Sequence, residues 1–172
     1  SLTGNAATTP GTNFIGTTDD QPLEFRVNNT RALRLEQTSG TPNVIGGYSG
    51  NTVTAGFAGA TISGGGASSY PNSVTSSFGA VGGGVNNSAG DQATVGGGYD
   101  NAASGSYATV AGGFGNRAIG NYATVPGGNY NTALGTYSFA AGQRAKANNI
   151  GAFVWADSTA ADFASTGNNQ FL

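Results

Sequence analysis

The chain contains no cysteine, no histidine and no methionine, and its only lysine is Lys146. Without cysteine there is no disulfide and no thiolate metal site. With histidine also missing, an activated nucleophile could only be a serine paired with Lys146. Lys146 lies in Gln-Arg-Ala-Lys-Ala and reads as a solvated charge or a contact to an acidic neighbour. Charge of either sign is sparse: six basic and eight acidic residues give a net −2. Scattered cations cannot neutralise a phosphate backbone, so nucleic acid is excluded as a partner. No apolar run approaches the roughly 18 residues of a membrane span. No secretory signal is visible, and Ser1 in place of Met reads as a processed chain or an excised segment.

What is present is small. Of 172 residues 31 are Gly, 37% are hydrophobic and 10% aromatic. A disordered chain would carry more charge and fewer aromatics, and a helical one more Leu, Glu and Lys. Gly, Ala, Ser, Thr and Asn pack closely in stacked β-coils and suit tight turns. The core they build is thin, because Ala buries little of the apolar surface that stabilises at roughly 25 cal/mol per Å². Association with identical chains is therefore expected.

Residues 93–107 (ATVGGGYDNAASGSY), 108–122 (ATVAGGFGNRAIGNY) and 123–137 (ATVPGGNYNTALGTY) are three copies of one 15-residue unit. Val95, Val110 and Val125 recur, as do Gly97, Gly112 and Gly127, and Asn101, Asn116 and Asn131. Gly105, Gly120 and Gly135 recur too, and Tyr107, Tyr122 and Tyr137 close the copies. Degenerate copies flank them at 79–92 and at 138–149, with Gly142 read at the fifth place. Residues 43–78 carry looser coils with a longer loop around 66–78. A fixed offset of this kind marks a stacked repeat. Each unit predicts two short strands, Ala-Thr-Val and the Ala-containing stretch after the Asn, separated by Gly and Asn turns. Alternation places the valines in an inner ladder and Thr94, Thr109 and Thr124 on the opposite face. The predicted class is all-β: a parallel β-roll or β-solenoid with coils of about 15 residues.

The ends differ. Leu23–Val27 and Arg31–Leu35 alternate around Asn28-Asn29-Thr30, a hairpin signal. Residues 1–40 are read as a β-hairpin cap or adaptor and 41–149 as the repeat region. Residues 150–172 are read as a terminating strand, with the only Trp, Trp155, followed by the start of a continuation.

Ala133-Leu134-Gly135-Thr136-Tyr137-Ser138-Phe139-Ala140-Ala141-Gly142 has the form A-x-G-x-Y-S-x-A-x-G. It resembles the head repeat of the trimeric autotransporter adhesins, and similar repeats occur in phage tail fibres and bacterial surface fibres. The resemblance extends from Gly11 to Leu172 through the Gln21–Val27 entry and the Phe153–Asp157 end. The period is 15 where those heads favour 14, and Ala-Thr-Val stands where they commonly have Ser-x-Ala. The resemblance implies an intertwined homotrimer outside the cell, on a virion tail or a bacterial surface. It also implies contact with a host-surface glycan or protein, and neither cofactor nor membrane insertion.

No catalytic residue is assigned, and the chain is expected not to be an enzyme. Asp91 and Asp100 fall at different repeat positions and form no glycosidase pair, while Asp157 and Asp162 flank a Ser/Thr/Ala loop and are the candidate pair for a polysaccharide-cleaving fibre. The calcium β-roll motif is rejected, because Gly115 and Tyr130 stand where Asp100 would have to recur. The Thr ladder raises an ice-binding alternative, with one Thr per coil instead of two. The Tyr107, Tyr122 and Tyr137 column is read as packing. Tyr99, Phe114 and Tyr130, in a more variable column, and Tyr70, in the aperiodic loop, are the candidate binding residues.

Overall fold

The computed structural model describes residues 7–9 and 11–172. Residues 1–6 and 10 of the 1–40 segment, and with them the reading of Ser1, lie outside the described residues. The described part is all-β. Strands β1 (Leu23–Val27) and β2 (Thr30–Glu36) pair antiparallel around Asn28 and Asn29, both at positive φ.

Coils follow, each giving two strands: β3 (Asn43–Gly46) and β4 (Thr52–Val53), β5 (Thr61–Ile62) and β6 (Ser73–Val74), β7 (Ala80–Val81) and β8 (Ser88–Ala89). Next come β9 (Thr94–Val95) and β10 (Ala102–Ala103), β11 (Thr109–Val110) and β12 (Arg117–Ala118), β13 (Thr124–Val125) and β14 (Thr132–Ala133). The last are β15 (Phe139–Gly142) and β16 (Ala145–Ala147), then β17 (Phe153–Ala156) and β18 (Phe163–Ala164).

Odd-numbered strands from β3 to β17 form one sheet with β1 and β2 at its end; even-numbered strands from β4 to β18 form the other. From β3 onward the strands of successive coils pair in parallel, so the molecule is a parallel β-solenoid of about 8 turns with coils of about 15 residues. The Ile150–Ala156 stretch supplies β17 as a further rung, and Phe171 pairs in parallel with Phe153 beyond it.

The register repeats rung by rung. Val95, Val110 and Val125 are fully buried in line with Ile62, Val81, Ala140 and Val154. Across the thin core, Val74, Ala89, Ala103, Ala118, Ala133 and Ala147 face them from the other sheet. Thr94, Thr109 and Thr124 lie on the outer face. Spacing departs from 15 where loops absorb residues. Thr61 pairs with Ala80, and Thr52 with Ser73. The sequence reading of Gly142 at the fifth place is corrected here. Its carbonyl accepts the Asn131 side-chain N–H just as Gly128 accepts that of Asn116, so Gly142 holds the sixth place and the missing residue lies before it.

The strongest organising element is a column of asparagines: Asn51, Asn72, Asn87, Asn101, Asn116 and Asn131, at most 1% exposed. Asn116 shows the pattern. Its backbone N–H donates to Asn101 Oδ1 at 3.0 Å. Its Nδ2 donates to Gly112 O of its own coil and Gly128 O of the next, both at 2.9 Å. Its Oδ1 accepts Asn131 N–H at 2.9 Å. A buried amide is tolerated only when its donors and acceptor are all used, and here they are. The second carbonyl comes from Gly98, Gly113 or Gly128, at φ +88, +93 and +92, where a Cβ would overlap the next coil's glycine carbonyl.

Replacing Asn116 by Ala leaves the Asn131 N–H and the Gly112 carbonyl without partners and takes from Gly128 O one of its two donors, the Phe114 N–H remaining. At 1–3 kcal/mol per abandoned buried group, less what water recovers, the loss should be about 3 kcal/mol. Urea denaturation of the chain with and without Asn116→Ala measures it, and a loss below about 1 kcal/mol would show that the ladder is not what sets coil register.

Candidate functional site

Each coil turns two corners, and each corner carries an aromatic column. At the corner leading back to the first sheet, Tyr107, Tyr122 and Tyr137 stack face to face with centroids 5.0 and 5.1 Å apart and interplanar angles of 2° and 11°. All three have φ near +60°, a conformation that L-residues adopt at a cost of 1–3 kcal/mol. The corner demands it: Phe78 and Gln92 hold the same place upstream, also at positive φ, each N–H bonded to the preceding coil. Stacking of about 0.5–1.5 kcal/mol per pair offsets that strain. The rings are about half exposed, so the column is packed along the rod and open to solvent at its edge.

The opposite corner gathers the four sequence-predicted binding residues. Tyr99 and Phe114 occupy equivalent places and stack at 5.3 Å and 10°. The place after Phe114 in the column is filled by Asn129, not Tyr130. Tyr130 stands where Asp100 and Gly115 stand in earlier coils, at φ +55°, and its ring leans back over Gly115. A Cβ on Gly115 would lie 2.6 Å from that ring, so the missing side chain makes the space. Tyr130 thus meets Phe114 edge-on at 5.0 Å. Tyr70 comes from the aperiodic loop, held by the paired backbone bonds between Ala67 and Tyr70, and its ring meets Tyr99 at 5.7 Å. Burial among these rings pushes the Tyr99 phenol up from its ordinary value, with Tyr70 adding to the effect.

The result is one ridge, Tyr70–Tyr99–Phe114–Tyr130, closed by the Arg144 guanidinium 5.9 Å from the Tyr130 ring centre. The Tyr99 and Phe114 faces are turned on each other, so the ridge presents ring edges and hydroxyls along its length. At its two ends the rings turn out of this stack, Tyr70 tilted at 56° to Tyr99 and Tyr130 at 84° to Phe114. Beside it Asp100 holds Arg117 at 3.0 Å, and Arg144 reaches Asp162 at 3.4 Å. Exposed pairs like these contribute at most about 1 kcal/mol.

A third feature had no sequence signal beyond an apolar run. Phe139, Phe153 and Phe171 stack at 4.5 and 4.7 Å where the Thr ladder stops. The exposed Trp155 borders a cleft of about 380 Å³ with Asp157, Thr159, Ala161, Asp162 and Phe163. The Thr159 backbone N–H, 2.8 Å from Asp157 Oδ1, and then its hydroxyl hold the Asp157 carboxyl below the ordinary aspartate range. Among the described residues no group of three or more His, Cys, Asp or Glu could hold a metal ion. No helix there is long and apolar enough to cross a membrane. No protein-family model and no curated protein matches this chain.

Two outcomes test these corners. Tyr122→Ala loses both stacking contacts and keeps the backbone strain, whereas Tyr122→Gly loses the contacts and sheds the strain. The glycine variant should melt higher than the alanine variant, by about 1 kcal/mol of stability; the reverse order would contradict the strain account. For Asp157, a lowered folded-state pKa means that its hold on the loop is complete above the ordinary aspartate value and is lost as pH falls through the lowered one. The emission of Trp155, the sole tryptophan, should change on that acid side, and Asp157→Asn should abolish the transition.

Proposed function

We propose that this chain is a segment of a homotrimeric fibre, a phage tail fibre or bacterial surface adhesin, working outside the cell. The rod serves as a stiff spacer and as a platform from which three copies of one surface strip engage a host-surface glycan or protein. The β1–β2 pair acts as its cap or adaptor. The A-x-G-x-Y-S-x-A-x-G resemblance supports this reading, but one structural observation carries it. A compact monomer of 16.9 kDa exposes roughly 7,700 Å². This chain exposes 9063 Å², much of it as large apolar side chains in rows along the rod. Such rows mark interaction surfaces.

The ridge Tyr70–Tyr99–Phe114–Tyr130 is the contact strip in this reading. Its partly exposed rings suit the apolar face of a sugar, and its hydroxyls suit a polar rim. Weak contacts made three at a time gain through effective concentration.

A polysaccharide-cleaving fibre is the second reading, because Asp157 and Asp162 do line one cleft with Trp155. Against it, a general acid needs a raised pKa, while Asp157 is held low. The Thr94–Thr109–Thr124 ladder, bounded by Ala80 and Phe139, gives the ice-binding reading only three rungs.

Sedimentation equilibrium should give three chain masses at micromolar concentration, and a monomer would sink the fibre reading. Joint Tyr70→Ala and Tyr130→Ala substitution should lower binding to host cells or a glycan array at least tenfold, while Tyr122→Ala leaves it unchanged. Loss of a polysaccharide-digesting activity on Asp157→Asn or Asp162→Asn would instead favour the enzyme.

A further inference from the structure

We infer that the outward face of the ten-stranded sheet, hairpin included, is the face on which identical copies of this chain pack, side by side and parallel. The inference rests on the homomeric reading above and adds which surface the copies share.

The hairpin supplies the first argument. In a half-buried strand the apolar alternate residues face the dry side. In β2, Leu35 pairs with Val44 and Leu33 with Gly46 of β3. Val44 lies outside the solenoid, since Asn43 and Ile45 on either side of it are buried. Leu33 and Leu35 therefore face outward, and so do their β1 partners Phe25 and Leu23. The alternate residues Glu24, Arg34 and Glu36 lie on the side that continues the solenoid interior, where Arg34 meets Glu36 at 2.8 Å. Phe25 is 45% and Leu35 36% exposed in a lone chain, although every alternation rule would put them under cover. The second sheet starts only at β4, so among the described residues no strand of that sheet lies opposite the pair, and the contact on the interior side is polar, from Arg31 to the Ser49 and Asn51 carbonyls. The pattern is inverted for a monomer and correct for an assembly whose dry side is the outside of this sheet.

The rest of the face agrees. From Val44 to Trp155 its outward positions carry no charge, and the middle rungs present only Thr94, Thr109, Thr124 and, one step on, Gly96, Ala111 and Pro126. At the far end Phe153 and Trp155 point the same way, with Val154 and Ala156 inward. The outer face of the other sheet bears Arg117 and Lys146 among Ser and Thr, the composition of a wetted surface. The partner follows from the period. A flat face of identical rungs about 4.8 Å apart is matched over its whole length by another face with that rise, and another copy of this chain has it. Parallel copies set hairpin on hairpin and Trp end on Trp end, so each apolar end meets its own kind around an axis along the rod.

The absence of cysteine makes the test clean. Thr109→Cys, Leu35→Cys and, on the other sheet's outer face, Thr132→Cys are each treated with a short bismaleimide and run on a denaturing gel. Linked chains from Thr109→Cys and Leu35→Cys should exceed those from Thr132→Cys at least tenfold. If Thr132→Cys links as well as they do, or alone, the face is wrong. If Thr109→Cys links and Leu35→Cys does not, the copies are antiparallel and the parallel arrangement is overturned. Joint Leu33→Asp and Leu35→Asp substitution should lower the sedimenting mass with unchanged circular dichroism; a mass that stays put counts against the face. A native chain that sediments as a monomer overturns the homomeric reading itself, whereas a native oligomer linked only through Thr132→Cys overturns this assignment alone.

Discussion

A buried asparagine amide has one oxygen to fill and two N–H groups to place, and in this rod all of them go to main-chain groups. Each amide of the column ties its own coil to the next, whose asparagine N–H takes the amide oxygen, so register is passed along the stack without help from the core. That help would be slight. Val and Ala opposite each other bury little surface, and alanine packs almost equally well when slipped by a rung. The directional bonds discriminate where the hydrophobic contacts cannot. Arg31 bonds the carbonyls of Ser49 and Asn51 at the hairpin end of the column, and at the other end Ala145 N–H takes the last free oxygen, that of Asn131.

Two steric consequences follow. The carbonyl that receives each amide must come close to the next coil, which admits no Cβ at Gly98, Gly113 or Gly128 and puts their backbone at positive φ. A corner with so little freedom also forces positive φ at the place of Tyr107, Tyr122 and Tyr137, as at Phe78 and Gln92 before them, and stacking offsets the strain where the residue is Tyr. Backbone strain at one rung is thus offset by side chains at two others. Stability in this architecture belongs to adjacent rungs more than to single residues.

The period, the two strands per coil and the inward valines are legible in the sequence because identical rungs require identical solutions, which a constant offset reveals. The recurring Asn was legible as a fixed position, but its bonding was not, since an Asn in a Gly-rich stretch reads equally as a turn. Gly97, Gly112 and Gly127 drew notice, although the sterically demanding glycines are their neighbours. The difference lies in φ and in the approach of another coil, and neither is written in the residue type. The alignment of the copies sets Tyr130 with Asp100, one place after Tyr99 and Phe114; what it does not carry is that the Tyr130 ring leans back over Gly115 to reach them. Tyr70 reaches the ridge from a loop with no period to place it. The direction in which the hairpin faces could not be read at all: alternation tells that two sides differ, and only pairing with β3 tells which side is which.

That last point bears on how recognition and assembly divide the surface. A coil has only two sheet faces and two corners. If the charge-free face is taken up by other copies, the other sheet and the corners remain for everything else. They are also where the coils differ from one another: Ala102, Arg117, Thr132 and Lys146 share one outward column, and Tyr99, Phe114, Asn129 and Gln143 share another. The amide column tolerates none of this variety, because its bonds are to backbone and need the same side chain each time. Outward columns also bond from rung to rung, as Lys146 Nζ does to Thr132 Oγ1 at 3.3 Å and Ser73 Oγ to Ser88 Oγ at 3.2 Å, but at positions open to water, which can take a lost partner's place. The rod can therefore change what it touches without changing how it stands, and three parallel copies would multiply each such change by three.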